Sequence, residues 1–168
     1  HSEAETAKEL ADADALFLWD FSSSILQRTG VPASLSWIHT PSLGVDALMS
    51  AEVVRSPVVV SNTRGVFERP IAEYVLGLML AIAKDFRTTF ENQKRAEWRW
   101  RPTLSVLGHT VALVGPGGIG KEIHRMLTAV GYEVHTFGRR RVEADTVFGR
   151  IWASTDLIDH LPTMDTVV

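Results

Sequence analysis

Val111-Ala112-Leu113-Val114-Gly115-Pro116-Gly117-Gly118-Ile119-Gly120 reads as an apolar strand that runs into a Gly-x-Gly-x-x-Gly turn and then a helix. In that arrangement Gly115 makes the tight turn, Gly117 lets the backbone approach a pyrophosphate, and Gly120 lets the helix lie close to its strand. Phosphate oxygens then meet free amides at the positive end of a helix. Three glycines alone are a weak signal, but the context here is complete. Residues 118–130 carry Ile119, Ile123, Met126, Leu127 and Val130 on one helical face, and 133–137 read as a second strand. The expected dinucleotide contacts are Gly115, Gly117, Gly118, Ile119 and Gly120.

The second strand ends in Phe137-Gly138-Arg139-Arg140-Arg141. A site that prefers NAD places Asp or Glu there to accept from the ribose hydroxyls. Here no carboxylate repels a 2′-phosphate, and arginines can clamp one through bidentate, charge-assisted hydrogen bonds. NADP is therefore the expected cofactor ahead of NAD, with Gly138, Arg139 and Arg140 added to the site. Beyond it, 150–153 read as a strand, Ser154 or Thr155 as the N-cap of a helix to about 160, and 165–168 as a fourth strand.

Upstream, strand-like and helical runs alternate, the pattern of an α/β protein with parallel sheets. Helices are expected at 3–11 and 23–28 and from about Asp46, with strands at 15–19, 35–40 and 58–60. These strands are rich in apolar residues, so both sheet faces should be covered. From Pro70, apolar residues recur at Ile71, Val75, Leu78, Met79, Ile82, Phe86 and Phe90, which predicts one long helix to about Ala96. Tyr74, Leu76 and Leu80 widen its apolar face, as at a domain or subunit interface. The segment from Glu97 to Leu107, with Trp98, Trp100, two arginines and Pro102, breaks the pattern, so the expected domains are 1–98 and 99–168.

With 45% hydrophobic and 22% charged residues the chain has the balance of a globular protein rather than a disordered one. A net charge of −3 gives no reason to expect nucleic-acid or anionic-membrane partners. The absence of cysteine excludes disulfides and thiolate metal sites and fits a reducing compartment. The polar opening is unlike a secretory signal, and the longest apolar stretch is too short for the ~20 residues that span a bilayer. A cytoplasmic protein is expected, with no metal.

Several ordered landmarks lie upstream of the glycine turn: Trp37-Ile38-His39-Thr40-Pro41-Ser42-Leu43-Gly44-Val45-Asp46, then Val60-Ser61-Asn62-Thr63-Arg64-Gly65, Ile71-Ala72-Glu73 and Leu107-Gly108-His109-Thr110. Together with it they resemble the D-isomer-specific 2-hydroxyacid dehydrogenases, and the Gly-Arg-Arg ending resembles the NADP-using glyoxylate and hydroxypyruvate reductases. The resemblance covers nearly the whole chain. It implies two doubly wound parallel-sheet domains, a flavodoxin-like substrate domain and a Rossmann cofactor domain, with the active site between them. It further implies that Leu43 and Gly44 present amides to a substrate carboxylate, that Trp19 and Phe21 line the substrate pocket, that Asn62 and Glu73 belong to the frame between the domains, and that the protein is a homodimer.

The family's catalytic Arg, Glu and His follow the strand that begins here at Asp165, so no catalytic residue is expected in this chain. His39, His109, His124, His135 and His160 match no catalytic position and are expected to be ordinary surface or core residues. Both ends read as cut, since the family has a further strand and helix before the part resembling His1 and a second half to the cofactor domain. The expected activity is hydride transfer between NADP(H) and a small 2-keto or 2-hydroxy acid, with this chain alone inactive. Two alternatives stay open, a non-enzymatic NAD(P)-sensing protein resembling the corepressors on this fold and a relative of formate dehydrogenase.

Overall fold

The computed structural model describes residues 3–19 and 24–168. The chain divides into two compact units, 1–65 and 66–168.

The first unit is built on a parallel sheet of β1 (Ala15–Phe17), β2 (Trp37–Thr40) and β3 (Val59–Asn62), in that spatial order. Helices α1 (Glu3–Ala11), α2 (Ser24–Thr29) and α3 (Ala51–Arg55) connect or precede the strands. Side chains alternate across a strand, so Leu16, Ile38 and Val60 share one face, where they pack with Leu10, Leu26, Leu35, Leu48 and Val53. Phe17, Trp37 and Val59 point the other way and are exposed. Among the described residues, the helices of this unit thus cover one face of the sheet, not both. The apolar count that suggested two covered faces includes the aromatic residues of the open one. The third helix begins at Ala51, with the Ser50 hydroxyl accepting from the Val53 amide, rather than at Asp46.

The second unit holds α4 (Glu68–Ala83), α5 (Phe86–Lys94), β4 (Thr110–Val114), α6 (Gly118–Ala129), β5 (Glu133–Gly138), β6 (Val142–Asp145), β7 (Gly149–Ala153), α7 (Leu157–His160) and β8 (Thr166–Val167). The strand order is β6-β7-β5-β4-β8. Without β6, the four parallel strands run third, second, first, fourth, which is the winding of a dinucleotide-binding half with its reversal between β4 and β8. The expected fourth strand does lie beside the first. The sheet is not wholly parallel, because β6 forms an antiparallel hairpin with β7. The Asp145 carboxylate closes that hairpin by accepting from the Val147 and Phe148 amides.

The long helix expected over 70–96 is two helices. Asp85 takes a left-handed conformation at φ 48°, its carboxylate accepts from the Thr88 amide, and Arg101 donates to it at 2.7 Å. The new helix keeps the apolar phase of the old one, so periodicity alone runs through the break. Helix α4 buries Ala72 and Met79 against Val111, Leu113, Ile123, Met126 and Leu127, each large member adding about 1.5–3 kcal/mol of burial. That contact ties α4 to the second compact unit, which begins at Val66. Its other side stays open, with Tyr74, Leu78 and Ile82 exposed. No helix among the described residues is long and apolar enough to cross a membrane.

Candidate functional site

In the second unit, β4 delivers Gly115 at its carboxyl end with φ 113°, a backbone state that side chains disfavour. Helix α6 starts three residues later, at Gly118, behind Gly117, which offers no side-chain cap. The Gly115 amide donates to the Phe137 carbonyl at 2.9 Å and so ties the turn to β5. The amides of Gly117, Gly118 and Ile119 have no acceptor among the described residues. Gly120 is held against the turn: a Cβ there would lie 2.0 Å from the Gly115 carbonyl oxygen. The close packing that lets helix and turn face one ligand therefore depends on Gly120 having no side chain.

The partners expected from sequence assemble at the same place. Val114, Gly115, Pro116, Gly117, Phe137, Gly138, Arg139 and Ser154 line one cavity of about 350 Å³. Gly138 is buried, and a Cβ on it would come 2.9 Å from Pro116 Cγ and 3.1 Å from Ile151 Cγ2. Arg139 and Arg140 are exposed and have no ion-pair or hydrogen-bond partner among the described residues. Arg141 differs. Its Nε donates to Glu143 at 2.7 Å and its guanidinium lies 4.9 Å from the centre of the Trp152 ring. The basic run thus splits into two uncommitted arginines and one engaged in the hairpin.

In the first unit, the turn after β2 carries the expected substrate contacts. The Asn62 side-chain amide donates to the Leu43 carbonyl at 2.8 Å, which holds the turn to the end of β3. The Leu43 and Gly44 amides find no acceptor among the described residues. Gly44 is exposed, with only Asp46 Oδ2 near a Cβ position, at 3.9 Å. Trp19 leaves the carboxyl end of neighbouring β1, exposed, its ring stacked 6.3 Å from that of Phe17. Phe21 lies outside the described residues.

The histidines have structural partners. His39 Nδ1 lies 2.9 Å from Ser61 Oγ, which also accepts from Trp37 Nε1. His109 faces Asp165, His135 faces Glu133, and His160 packs on Trp152. His124 sits against Phe148, and burial holds its imidazole below the ordinary value while the Asp145 carboxylate opposes that shift. No cluster of His, Cys, Asp or Glu suited to a metal ion occurs among the described residues. Ser154 is the lining residue that sequence reading put to another use, as a helix cap. Its signal was its place just after β7, beside the end of β5.

Two sets of unengaged backbone amides, one beside uncommitted arginines, suit anionic ligands. Residues 76–168 match the model for the D-isomer specific 2-hydroxyacid dehydrogenase, NAD binding domain. The human glyoxylate reductase/hydroxypyruvate reductase is 30% identical over 78% of this chain and 42% of that protein. A crystal structure of a D-isomer specific 2-hydroxyacid dehydrogenase family protein from Aeromonas salmonicida aligns at 25% identity with TM-score 0.84, over 99% of this chain and 52% of the other. The NADPH-dependent glyoxylate/hydroxypyruvate reductase of Sinorhizobium meliloti, solved with NADP and sulfate, shares the fold at 20% identity, TM-score 0.77, over 99% and 51% of the two chains. The chain belongs to the D-isomer specific 2-hydroxyacid dehydrogenase family. It spans about half the length of the curated relatives it matches.

Proposed function

We propose that this chain is the part of an NADP-dependent oxidoreductase that holds the dinucleotide by its phosphates and a small 2-keto or 2-hydroxy acid, of the glyoxylate or hydroxypyruvate kind, by its carboxylate. The observation that carries the reading is the cavity joining the glycine turn to Gly138 and Arg139, with no carboxylate at the end of β5. The amides of Gly117, Gly118 and Ile119 would take the pyrophosphate at the positive end of α6. Gly138 lets Pro116 and Ile151 pack closely at the cavity wall, and Arg139 and Arg140 would pair with a 2′-phosphate. The amides of Leu43 and Gly44 would hold the substrate carboxylate, with Trp19 and Phe21 as apolar wall. A bound nicotinamide would supply or accept the hydride. Relatives named as glyoxylate or hydroxypyruvate reductases, and a structural neighbour holding NADP, support the substrate class and the cofactor.

In this reading no described residue takes the part of the arginine that polarises the keto oxygen or of the acid-paired histidine that delivers the proton, both of which reduction requires. The chain by itself is then a binding half without turnover. The test is a fluorescence titration of the purified chain with NADPH and NADH, with Arg139→Ala and Arg140→Ala in parallel, and an NADPH-oxidation assay with glyoxylate and hydroxypyruvate. The expected result is preference for NADPH, lost in the variants, and no oxidation. Equal affinity for the two cofactors would defeat the NADP reading, and clear turnover would defeat the division of labour.

A further inference from the structure

Strand β7 pairs in parallel with β5 so that Ala153 stands opposite Gly138. The next residue of each strand, Ser154 and Arg139, therefore leaves the sheet side by side at its carboxyl edge, where ligands of open parallel sheets bind. Both line the cavity that holds the glycine turn. Position 138 cannot supply a side chain there, because Pro116 and Ile151 already fill the space a Cβ would need. The polar chemistry at this end of the cavity falls to its two neighbours.

Ser154 is available for it. A serine just before a helix ordinarily accepts from an amide of the first turn. Here the chain enters a 3-10 turn over Ser154–Asp156 behind Ala153 with no side-chain cap. Among the described residues the Ser154 hydroxyl makes no hydrogen bond, whereas Thr155 beside it donates to Asp156. A hydroxyl offers one donor and two acceptor positions in the least volume of any polar side chain, and it carries no charge to repel a phosphate.

We propose that Ser154 is a specificity-determining residue of the dinucleotide site: its hydroxyl donates to the phosphorylated ribose that Arg139 pairs with, so that the two side chains grip the 2′-phosphate from adjacent strands. This rests on the dinucleotide reading of the glycine turn. Arg139 supplies charge along a long, flexible stem, and Ser154 supplies a short donor fixed to the sheet edge. The hydroxyl gains a charged acceptor only when the 2′-phosphate is present, so it favours NADP over NAD rather than strengthening both.

The chain, Ser154→Ala and Ser154→Asp are titrated with NADPH and NADH, and with 2′,5′-ADP and 5′-AMP as probes of the ribose end alone. Thermal melts accompany them. Loss of a hydrogen bond to a charged acceptor predicts about ten-fold weaker NADPH and 2′,5′-ADP binding for Ser154→Ala, with NADH and 5′-AMP within two-fold and melting unchanged. Ser154→Asp should lose more NADPH affinity than Ser154→Ala and keep NADH. An unchanged NADPH-to-NADH ratio in both variants overturns the role of Ser154 while leaving the dinucleotide site standing. Failure of the unsubstituted chain to bind either dinucleotide overturns both.

Discussion

Replacing Gly120 with Ala should damage both the fold and the cofactor site. The added Cβ would stand 2.0 Å from the Gly115 carbonyl oxygen and 3.1 Å from its carbon, where ordinary contact begins at 3.4 Å. The obstacle is backbone, so no rotamer change relieves it. Either α6 retreats from the turn by more than an ångström, or the turn opens. Retreat pulls Ile123, Met126 and Leu127 away from Val111, Leu113 and Met79. Overpacking a tight site costs about 1–3 kcal/mol, and a rigid wall puts this case at the upper end. The better helix propensity of Ala returns at most about 1 kcal/mol. A net loss of about 2 kcal/mol should lower the melting temperature of a unit this size by roughly 10 °C. NADPH affinity should fall with it, since the amides of Gly117 to Ile119 move off the turn that aims them. Gly77→Ala, within α4, is the control: a Cβ there would meet nothing within 4 Å. Thermal denaturation and NADPH titration of the two variants check this. A Gly120→Ala protein that melts and binds like its parent would refute the close-packing argument.

The Glu68 carboxylate, lying beside Gly118 at the start of α6, should oppose a bound pyrophosphate there. Glu68→Gln is expected to tighten NADPH binding roughly two- to five-fold at low salt, the size of charge effects at helix ends, and less so at 0.5 M salt; unchanged or weaker binding at low salt would tell against it. The exposed stripe of Tyr74, Leu78 and Ile82 on α4 suits a second copy of the chain, so sedimentation velocity should show a dimer at micromolar concentration and Ile82→Asp a monomer. A monomeric parent would end that expectation.

How much of this was legible in the sequence depended on which physical signal each element carries. Strand β4, helix α6 and strand β5 fall almost where pattern and glycine spacing put them, because buried apolar runs, a 3.6-residue stripe and close backbone approach all agree there. The break at Asp85 escaped because a left-handed residue can restart a helix without changing the phase of its apolar face. Strand β6 escaped because Val142-Glu143-Ala144-Asp145 holds one large apolar residue, and its pairing is secured instead by the Asp145 turn and by ion pairs of Glu143 with Arg141 and Arg150. Pairing of that kind leaves no periodicity to read.

The site shows the same division. Where the backbone must turn or approach closely, the requirement appears as glycine: Gly115 takes a positive φ, and side chains at Gly120 and Gly138 would meet the Gly115 carbonyl and Pro116. Where a ligand is to be held by side chains, sequence shows the residue type but not its commitments. Three consecutive arginines look equivalent in the chain, yet the nearby Glu143 carboxylate and the indole of Trp152 across the hairpin engage Arg141, while Arg139 lines the cavity and Arg140 stays exposed. Ser154 reads as a helix cap because serine before a helical run ordinarily is one. The sheet register, which sets Ala153 opposite Gly138, brings that serine beside Arg139 at the cavity. Register is a long-range property, set by how β5 and β7 pair although β6 separates them in the chain, and it leaves no local pattern.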